Sequence, residues 1–184
     1  IYISYSEPRG QGSSSTSVAR AKLTSGEDVA RLDDVKVIFR QELATTGGLH
    51  FGSRLAFARD GSLFITLGER FQRDKAQDLG NHYGKVVRIR ADGSVPPDNP
   101  FVGTPGARTE IYSLGHRDHF GMAPHPVTGQ MFHVELGPYG GDKVNILKAG
   151  GDYGWPDYGY GRNNDSSPMG SPATPGIEPA LLVW

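Results

Sequence analysis

Three glycine-rich segments hold the side chains best suited to chemistry. His50 lies in Gly-Gly-Leu-His-Phe-Gly-Ser-Arg (47–54), and Gly-His-Arg-Asp (115–118) supplies a cation. Gly-Pro-Tyr-Gly-Gly-Asp (137–142) is a turn rich in backbone carbonyls. An imidazole titrates near neutral pH and can act as a general base. A base, a cation and such a turn on connecting loops predict a loop-built site.

The elements that carry these loops show the alternation of β-strands. Leu55–Arg59 and Ser62–Leu67 flank Asp60-Gly61, which is a strong hairpin signal because both turn residues tolerate positive φ. The same pattern recurs around Asp92-Gly93 and Thr128-Gly129. We predict strands near residues 1–6, 18–23, 35–42, 55–58, 62–67, 85–90, 110–114 and 130–135, a serine-rich loop at 13–17 and a long surface loop at 161–179. No segment shows a helical stripe longer than about two turns.

Many short strands with spaced turns are typical of an all-β sandwich, barrel or propeller. The long polar insertions favour a propeller, since its blades are four-stranded units joined by loops. At roughly 40–50 residues per blade, the chain makes three to four blades, fewer than a closed ring usually has. We therefore expect residues 1–184 to form a single partial β-propeller domain. Its open sheet faces predict a homo-oligomer or a complementing chain as partner.

Composition excludes several classes of function. The net charge of -1 and pI near 6.7, with no run of lysine or arginine, give no nucleic-acid surface. The absence of cysteine excludes disulfides and thiolate metal sites. No apolar stretch approaches the roughly 20 residues of a membrane span, and no signal peptide is recognisable. The segment 80–86 is one residue short of a phosphate-binding loop and lacks its Ser or Thr.

Six ordered pieces of the chain resemble the soluble PQQ-dependent sugar dehydrogenases, the glucose/sorbosone dehydrogenase family of six-bladed propellers. They are His-Phe-Gly-Ser-Arg-Leu (50–55), Gly-Lys-Val-Val-Arg (84–88), Asp-Gly-Ser-Val-Pro-Pro-Asp-Asn-Pro-Phe (92–101), Glu-Ile-Tyr-Ser-Leu-Gly-His-Arg (110–117), Gly-Pro (137–138) and Tyr-Gly-Trp-Pro (153–156). The resemblance implies that the chain covers about three blades from the middle of such a propeller. It also implies oxidation of a sugar C1 hydroxyl by hydride transfer to PQQ with calcium, in a periplasmic or secreted protein.

The resemblance assigns roles to three side chains near the reaction. His50 corresponds to the general base that removes the sugar hydroxyl proton. Arg117 corresponds to a residue that holds the anionic cofactor, and Asp118 takes the position of a residue that contacts it. Without the resemblance, His50 is an ordinary loop histidine and Arg117 forms a surface ion pair. If PQQ binds, His50, Arg117 and the 137–138 turn should face one cavity.

The resemblance also implies two calcium sites. The backbone carbonyls of Gly137 and Pro138 correspond to ligands of a calcium ion that touches PQQ, and calcium takes oxygen ligands of this kind. Asp142 and the backbone of Tyr153 correspond to a second, structural calcium site. The alternative for the 137–138 segment is a plain Gly-Pro turn.

Several residues depart from the family pattern. Where the family continues Gly-His-Arg with Asn-Pro-Gln-Gly, this chain has Asp118, His119 and Phe120 before its glycine. Asp118 places a negative charge beside a trianionic ligand, and Phe120 removes an amide that contacts the cofactor. Leu136 replaces a polar residue, and Lys143 replaces an acid and repels a metal ion. The Phe120 and Lys143 replacements favour a second hypothesis, a non-catalytic propeller-like binding module that lost PQQ, whereas His50, Arg117 and the 137–138 turn favour the enzyme. We expect weak PQQ binding and negligible dehydrogenase activity from the chain alone.

Overall fold

The computed structural model of the chain describes residues 1–26 and 29–184. The strands in this part are β1 (Tyr2–Gly10), β2 (Ser13–Ser25), β3 (Ala30–Arg40), β4 (Gly52–Phe57), β5 (Leu63–Leu67), β6 (Lys85–Ile89), β7 (Ile111–Ser113), β8 (His119–Pro124), β9 (Met131–Glu135), β10 (Lys143–Ile146) and β11 (Leu182–Val183). One 3₁₀ helix covers Arg73–Gln77. The all-β prediction is confirmed, and the strands expected from residue 55 onward coincide with β4, β5, β6, β7 and β9.

The strands form three antiparallel sheets, which are three blades of a β-propeller. The first sheet has the order β1-β2-β3, the second β4-β5-β6-β7 and the third β11-β10-β9-β8. Each sheet is a meander in which strands adjacent in the sequence pair with each other. The expected number of about three blades is therefore correct. Among the described residues no helix has the length and apolar character needed to cross a membrane.

Two of the three predicted hairpin turns join paired strands. Asp60-Gly61 connects β4 to β5, with Gly61 at φ 80°, and Thr128-Gly129 connects β8 to β9. Asp92-Gly93 also forms a turn, because the Arg90 amide donates to the Ser94 carbonyl at 2.7 Å. No strand follows it directly. The chain continues through a long loop and returns to β6 only at β7.

The serine-rich segment 13–17 was expected to be a loop, and that prediction is wrong. It begins β2, and Thr16 and Ser17 are fully buried there. Their hydroxyls have partners within the fold. Ser17 Oγ donates to Glu7 Oε2 at 2.7 Å, and Thr16 Oγ1 donates to the Phe51 carbonyl at 3.3 Å. Because the hydroxyls are satisfied, small polar residues can occupy a buried strand.

The core consists of two apolar clusters, one on each face of the second sheet. Every residue of β5 is buried, and its side chains alternate between the two faces. Leu63, Ile65 and Leu67 pack toward the first sheet with Val18 and Phe39. The opposite cluster contains Ala56, Phe64, Val86, Met131, Leu147 and Tyr153. The second sheet is thus packed on both sides, and the loops at its ends are held on a rigid support.

Candidate functional site

His50 lies in the loop before β4 and pairs with a buried carboxylate. Its Nδ1 is in hydrogen-bond contact with Glu69 Oε1, and Glu69 is only 1% exposed. The ring stacks on Phe71, with 4.3 Å between ring centroids. His50 adopts a left-handed backbone conformation with φ 55°, which non-glycine residues rarely occupy. The carboxylate and the stacked ring together fix the orientation of the imidazole.

The backbone beside Glu69 explains why this pair can form. A Cβ on Gly68 would lie 2.0 Å from the His50 carbonyl oxygen, so only glycine permits this approach of the two loops. The Glu69 amide donates to the Arg117 carbonyl at 2.9 Å. The end of β5 therefore connects the loop of His50 to the loop of Arg117.

Asp118 is buried beside His50. Its Oδ1 accepts a hydrogen bond from the Gly52 amide at 3.0 Å. Burial raises the pKa of the Asp118 carboxyl and nearby Glu69 adds to the rise, whereas His50 and Arg117 lower that pKa. His50 and Asp118 line the same open cavity of about 450 Å³, together with exposed Phe120.

Arg117 points away from that cavity. Its guanidinium carbon lies 5.6 Å from the centroid of the Trp155 ring, and the residue is 9% exposed. Within the described ranges, the guanidinium forms no hydrogen bond and no ion pair. Burial lowers its pKa, an effect that nearby carboxylates, Glu69 first and then Asp118, oppose. A buried guanidinium with no paired acceptor is suited to an anionic ligand.

The predicted residues face two neighbouring cavities rather than one. Arg117, Gly137, Pro138 and Trp155 line a second, small cavity of about 20 Å³. Successive residues of an extended chain project to opposite sides, so Arg117 and Asp118 face different cavities. The peptide group that joins Arg117 to Asp118 therefore lies between the two cavities.

The 137–142 turn presents oxygen atoms to the second cavity. A Cβ on Gly137 would lie 2.0 Å from the Gly140 carbonyl oxygen, so the turn is too tight for any other residue there. The Gly137 amide donates to Asp142 Oδ1 at 2.9 Å. In the part of the chain that is described, neither the Gly137 nor the Pro138 carbonyl accepts a hydrogen bond. Free carbonyls beside a carboxylate fit the ligand preference of calcium.

The second predicted calcium position does not fit the structure in the same way. Lys143 Nζ donates to the Tyr153 carbonyl at 3.1 Å and lies 3.9 Å from Glu135 Oε2. The Tyr153 carbonyl that a calcium ion would need therefore already accepts a hydrogen bond from the Lys143 ammonium. A second cation close to it would be repelled. This contact argues against the expected role of Tyr153 as a calcium ligand, while Asp142 lies beside the 137–142 turn and bonds to the Gly137 amide.

A buried histidine cluster lies next to Arg117 and Lys143, and the sequence analysis did not predict it. His116, His119, His133 and Glu135 offer donor atoms that all lie within 4.8 Å of one another. Burial lowers the pKa of His119 to about 3 and holds the pKa values of His116 and His133 well below their ordinary value. The available signal was the alternation of His133 and Glu135 along a single strand, which places both on one face.

The chain matches the Glucose / Sorbosone dehydrogenase family over residues 1–184. A curated relative, aldose sugar dehydrogenase YliI of Escherichia coli (strain K12), is 44% identical over 163 residues, which is 89% of this chain and 43% of that protein. Among solved structures, the soluble aldose sugar dehydrogenase of Escherichia coli in its apo-form superposes with a TM-score of 0.94 and 39% identity, covering 100% of this chain and 53% of that one.

A further solved structure carries a cofactor in its description. The PQQ-bound form of aldose sugar dehydrogenase from Streptomyces coelicolor superposes with a TM-score of 0.73 and 27% identity, covering 100% of this chain and 48% of that one. The chain thus spans about half the length of the relatives that it matches.

Proposed function

The chain belongs to the glucose/sorbosone dehydrogenase family, and we propose that it contributes part of the active site of a PQQ-dependent aldose dehydrogenase. The proposed reaction is oxidation of the C1 hydroxyl of a sugar. The observation that carries the proposal is the His50–Glu69 pair at the edge of an open cavity. A histidine held by a buried carboxylate beside a substrate-sized space is the arrangement that a general base requires.

His50 would take the proton of the sugar hydroxyl. Glu69 accepts the hydrogen bond from Nδ1–H, which leaves the lone pair of Nε2 for the substrate. When His50 becomes protonated, the buried Glu69 carboxylate stabilises the imidazolium. PQQ, when bound, supplies the acceptor for the hydride that leaves the same carbon.

Arg117 would hold an anionic group of the cofactor. PQQ carries three carboxylates, and a guanidinium binds a carboxylate through two parallel hydrogen bonds. The absence of a paired acceptor on Arg117 in the described residues supports this role. Asp118 opposes it with a negative charge, although burial raises the pKa of that carboxyl and so favours its neutral form. Phe120 lines the His50 cavity with an exposed ring and offers no polar contact.

The turn at 137–142 would bind the calcium ion of the cofactor site. The carbonyls of Gly137 and Pro138 and the nearby Asp142 carboxylate are hard oxygen donors, the kind that calcium prefers. Calcium usually takes six to eight oxygen ligands, so further ligands must come from the cofactor, water or other blades. Because the Lys143 ammonium is bonded to the Tyr153 carbonyl, we assign no calcium to that position.

The remaining proposals concern the whole protein. We treat residues 1–184 as one partial propeller domain whose exposed apolar residues at 181–184 meet further blades, a second copy or a complementing chain. A sugar substrate and a periplasmic or secreted location rest on the family alone. The alternative of a non-catalytic binding module is not favoured, since the relatives of this chain include aldose sugar dehydrogenases.

Calorimetric titration with PQQ and calcium tests the cofactor proposal. We expect weak binding by the chain, lost in Arg117→Ala because the variant removes a charge-assisted contact to a trianion. The matched control is Arg31→Ala, because the Arg31 side chain is 74% exposed and lies on the first sheet. Equal loss in both variants would show nonspecific attraction. Binding that survives Arg117→Ala unchanged would reject the proposed site.

A further inference from the structure

The inner face of the third sheet carries polar side chains where an apolar core is expected. Along β9, His133 and Glu135 alternate with half-buried residues, and both are 1% exposed. Across the sheet, His119 on β8 pairs with Glu135, and Asn145 on β10 pairs with His133. Cross-strand partners lie on the same face, so these side chains form one patch. His116 reaches the patch from the loop before β8.

The three imidazole rings form a nearly regular triangle. Ring centroids are 4.5 Å apart for His116 and His119, 5.1 Å for His116 and His133, and 5.0 Å for His119 and His133. Three imidazoles on one tetrahedral ion, with metal–nitrogen bonds of about 2.0–2.1 Å, would have centroids about 5 Å apart. The rings therefore already have the spacing of ligands around a single ion.

Both nitrogens of His119 and both nitrogens of His133 have no hydrogen-bond partner within the described residues, although both residues are at least 98% buried. The amide atoms of Asn145, which is fully buried, have none either. Buried polar groups in folded proteins are nearly always paired. A group of unpaired atoms that face one another indicates a ligand that binds between them.

The contacts of His116 and Glu135 are also compatible with an ion. His116 Nδ1 lies 3.1 Å from Glu135 Oε2, close to the separation of about 3.3 Å between two ligand atoms on a tetrahedral ion. Ser113 Oγ holds the other nitrogen of His116 at 2.7 Å, as residues around metal-bound histidines usually do. The widest pair of donor atoms, at up to 4.8 Å, must approach by about 1.5 Å.

We propose that His116, His119, His133 and Glu135 bind a late first-row transition ion, zinc by preference. Imidazole suits zinc and its neighbours in the series, whereas calcium prefers oxygen ligands. Four protein ligands in a buried position complete a tetrahedral shell, which is the arrangement of a structural zinc site. This site is separate from the 137–142 turn and needs no PQQ.

The ion would fix the backbone beneath the cofactor site. Glu135 Oε1 accepts a hydrogen bond from the Arg117 amide at 2.7 Å, while Oε2 faces the histidines. An ion on Oε2 would hold Glu135 and, through it, the peptide of Arg117. Lys143 is the opposing group, because its ammonium lies 3.9 Å from the same oxygen. The proposal therefore predicts that Lys143 weakens metal binding by charge repulsion.

Metal analysis of the full, untagged chain is the direct test. The protein is produced in minimal medium with added cobalt or zinc, because a buried site must be loaded during folding. We expect about one ion per chain. The cobalt-loaded protein should show the strong visible absorption of a tetrahedral ion, and its X-ray absorption should show nitrogen ligands. Wild-type protein without bound metal would overturn the proposal, and the unpaired atoms would then bind buried water.

Variants locate the ion. His133→Phe should lower cobalt affinity at least about 100-fold, and the exposed-turn control His125→Phe should leave it unchanged. Lys143→Met should raise the affinity by about tenfold, since it removes a charge beside Glu135. Equal metal content in wild type and folded His133→Phe would contradict the assignment. If His133→Phe does not fold, two other measurements test the assignment. They are the cobalt affinity of His133→Gln and the number of imidazole ligands that X-ray absorption finds in the wild type.

Discussion

The two interfaces between neighbouring sheets are built on the same plan and filled differently. The first interface, between the first and second sheets, contains Val18, Phe39 and the odd-numbered side chains of β5, all apolar. The second interface, between the second and third sheets, has a smaller apolar cluster and adjoins buried histidines, Glu135 and Lys143. The first interface stabilises the fold mainly by burial of apolar side chains, whereas the second positions groups that can do chemistry.

The proposed cofactor residues all depend on the second interface. Arg117 and Asp118 lead into β8, and the 137–142 turn follows β9. His50 is linked to them through Glu69, whose amide bonds to Arg117. Buried polar groups cost free energy unless they are paired, so a protein retains them where they serve a purpose. Substitutions in each interface test this difference.

The largest effect is expected in the first interface. Ile65 is fully buried in β5, and Ile65→Ala should lower the free energy of unfolding by about 3–4 kcal/mol through lost burial and a cavity. Urea denaturation followed by circular dichroism measures it. Val127→Ala is the control, because Val127 is 77% exposed and its loss should change stability by less than about 0.5 kcal/mol. Similar values for both would show that the first interface contributes little.

Lys85 begins β6, and the stability that this buried side chain contributes should depend on pH. Its ammonium donates to the carbonyls of Lys75, Ala76 and Tyr83 at 3.0, 2.8 and 2.7 Å. Lys85→Met should cost about 2–3 kcal/mol, because three buried carbonyls lose their donor. Burial lowers the pKa of Lys85 to about 7, an effect that nearby Asp78 and Asp152 oppose.

The sign of that pH dependence follows from linkage. Between the folded pKa of about 7 and the ordinary value of 10.5, the unfolded chain binds more protons than the folded one, so stability gains from Lys85 as pH rises. The deficit of Lys85→Met, measured by urea denaturation, should therefore be larger at pH 9 than at pH 7, by on the order of 1 kcal/mol per pH unit. A deficit that shrinks toward pH 9 would mean that Lys85 is buried as a stable ammonium.

His133→Phe should change stability in opposite directions with and without metal. In protein stripped by a chelator, the variant removes two unpaired nitrogens and should be neutral or more stable by about 1 kcal/mol. In zinc-loaded protein the same variant loses a ligand and should be less stable than wild type. Thermal denaturation of both forms measures the difference. The same sign in both conditions would mean that the cluster is ordinary core.

Asp118→Asn is expected to have the smallest effect. It removes a carboxylate near the proposed anion site and keeps an oxygen that can accept from the Gly52 amide. PQQ affinity should rise several-fold, because repulsion of the trianion falls. Calorimetry at constant calcium checks this. Exposed Asp165→Asn, in the 161–179 loop, is the control and should leave the affinity unchanged.

Much of the fold was predictable because alternation and turn residues are local signals. The hairpins at Asp60-Gly61 and Thr128-Gly129 are each encoded by a few adjacent residues, and both form. The burial of the 13–17 segment was not predictable, since the hydroxyls of Ser17 and Thr16 find their partners on β1 and at residues 51–53. Whether a hydroxyl is buried depends on residues far along the chain.

The candidate site was predictable residue by residue and less so as a geometry. The family pattern pointed to His50 and Arg117, yet only the fold shows that they face neighbouring cavities. The bond from Lys143 to Tyr153 joins residues whose contact no local pattern encodes. The histidine cluster brings together residues from β8, β9 and a loop, so the alternation of His133 and Glu135 along β9 shows only half of it.

The rate of sugar oxidation by a His50 variant decides whether His50 is the general base. The measurement is the turnover rate with PQQ, calcium and an aldose, in a protein that joins this chain to the further blades of its relatives. We expect His50→Ala to lower kcat by about 10²–10⁴-fold with little change in PQQ affinity, because a general base acts on the substrate proton. An unchanged kcat in His50→Ala, with PQQ bound as tightly as in wild type, would contradict it.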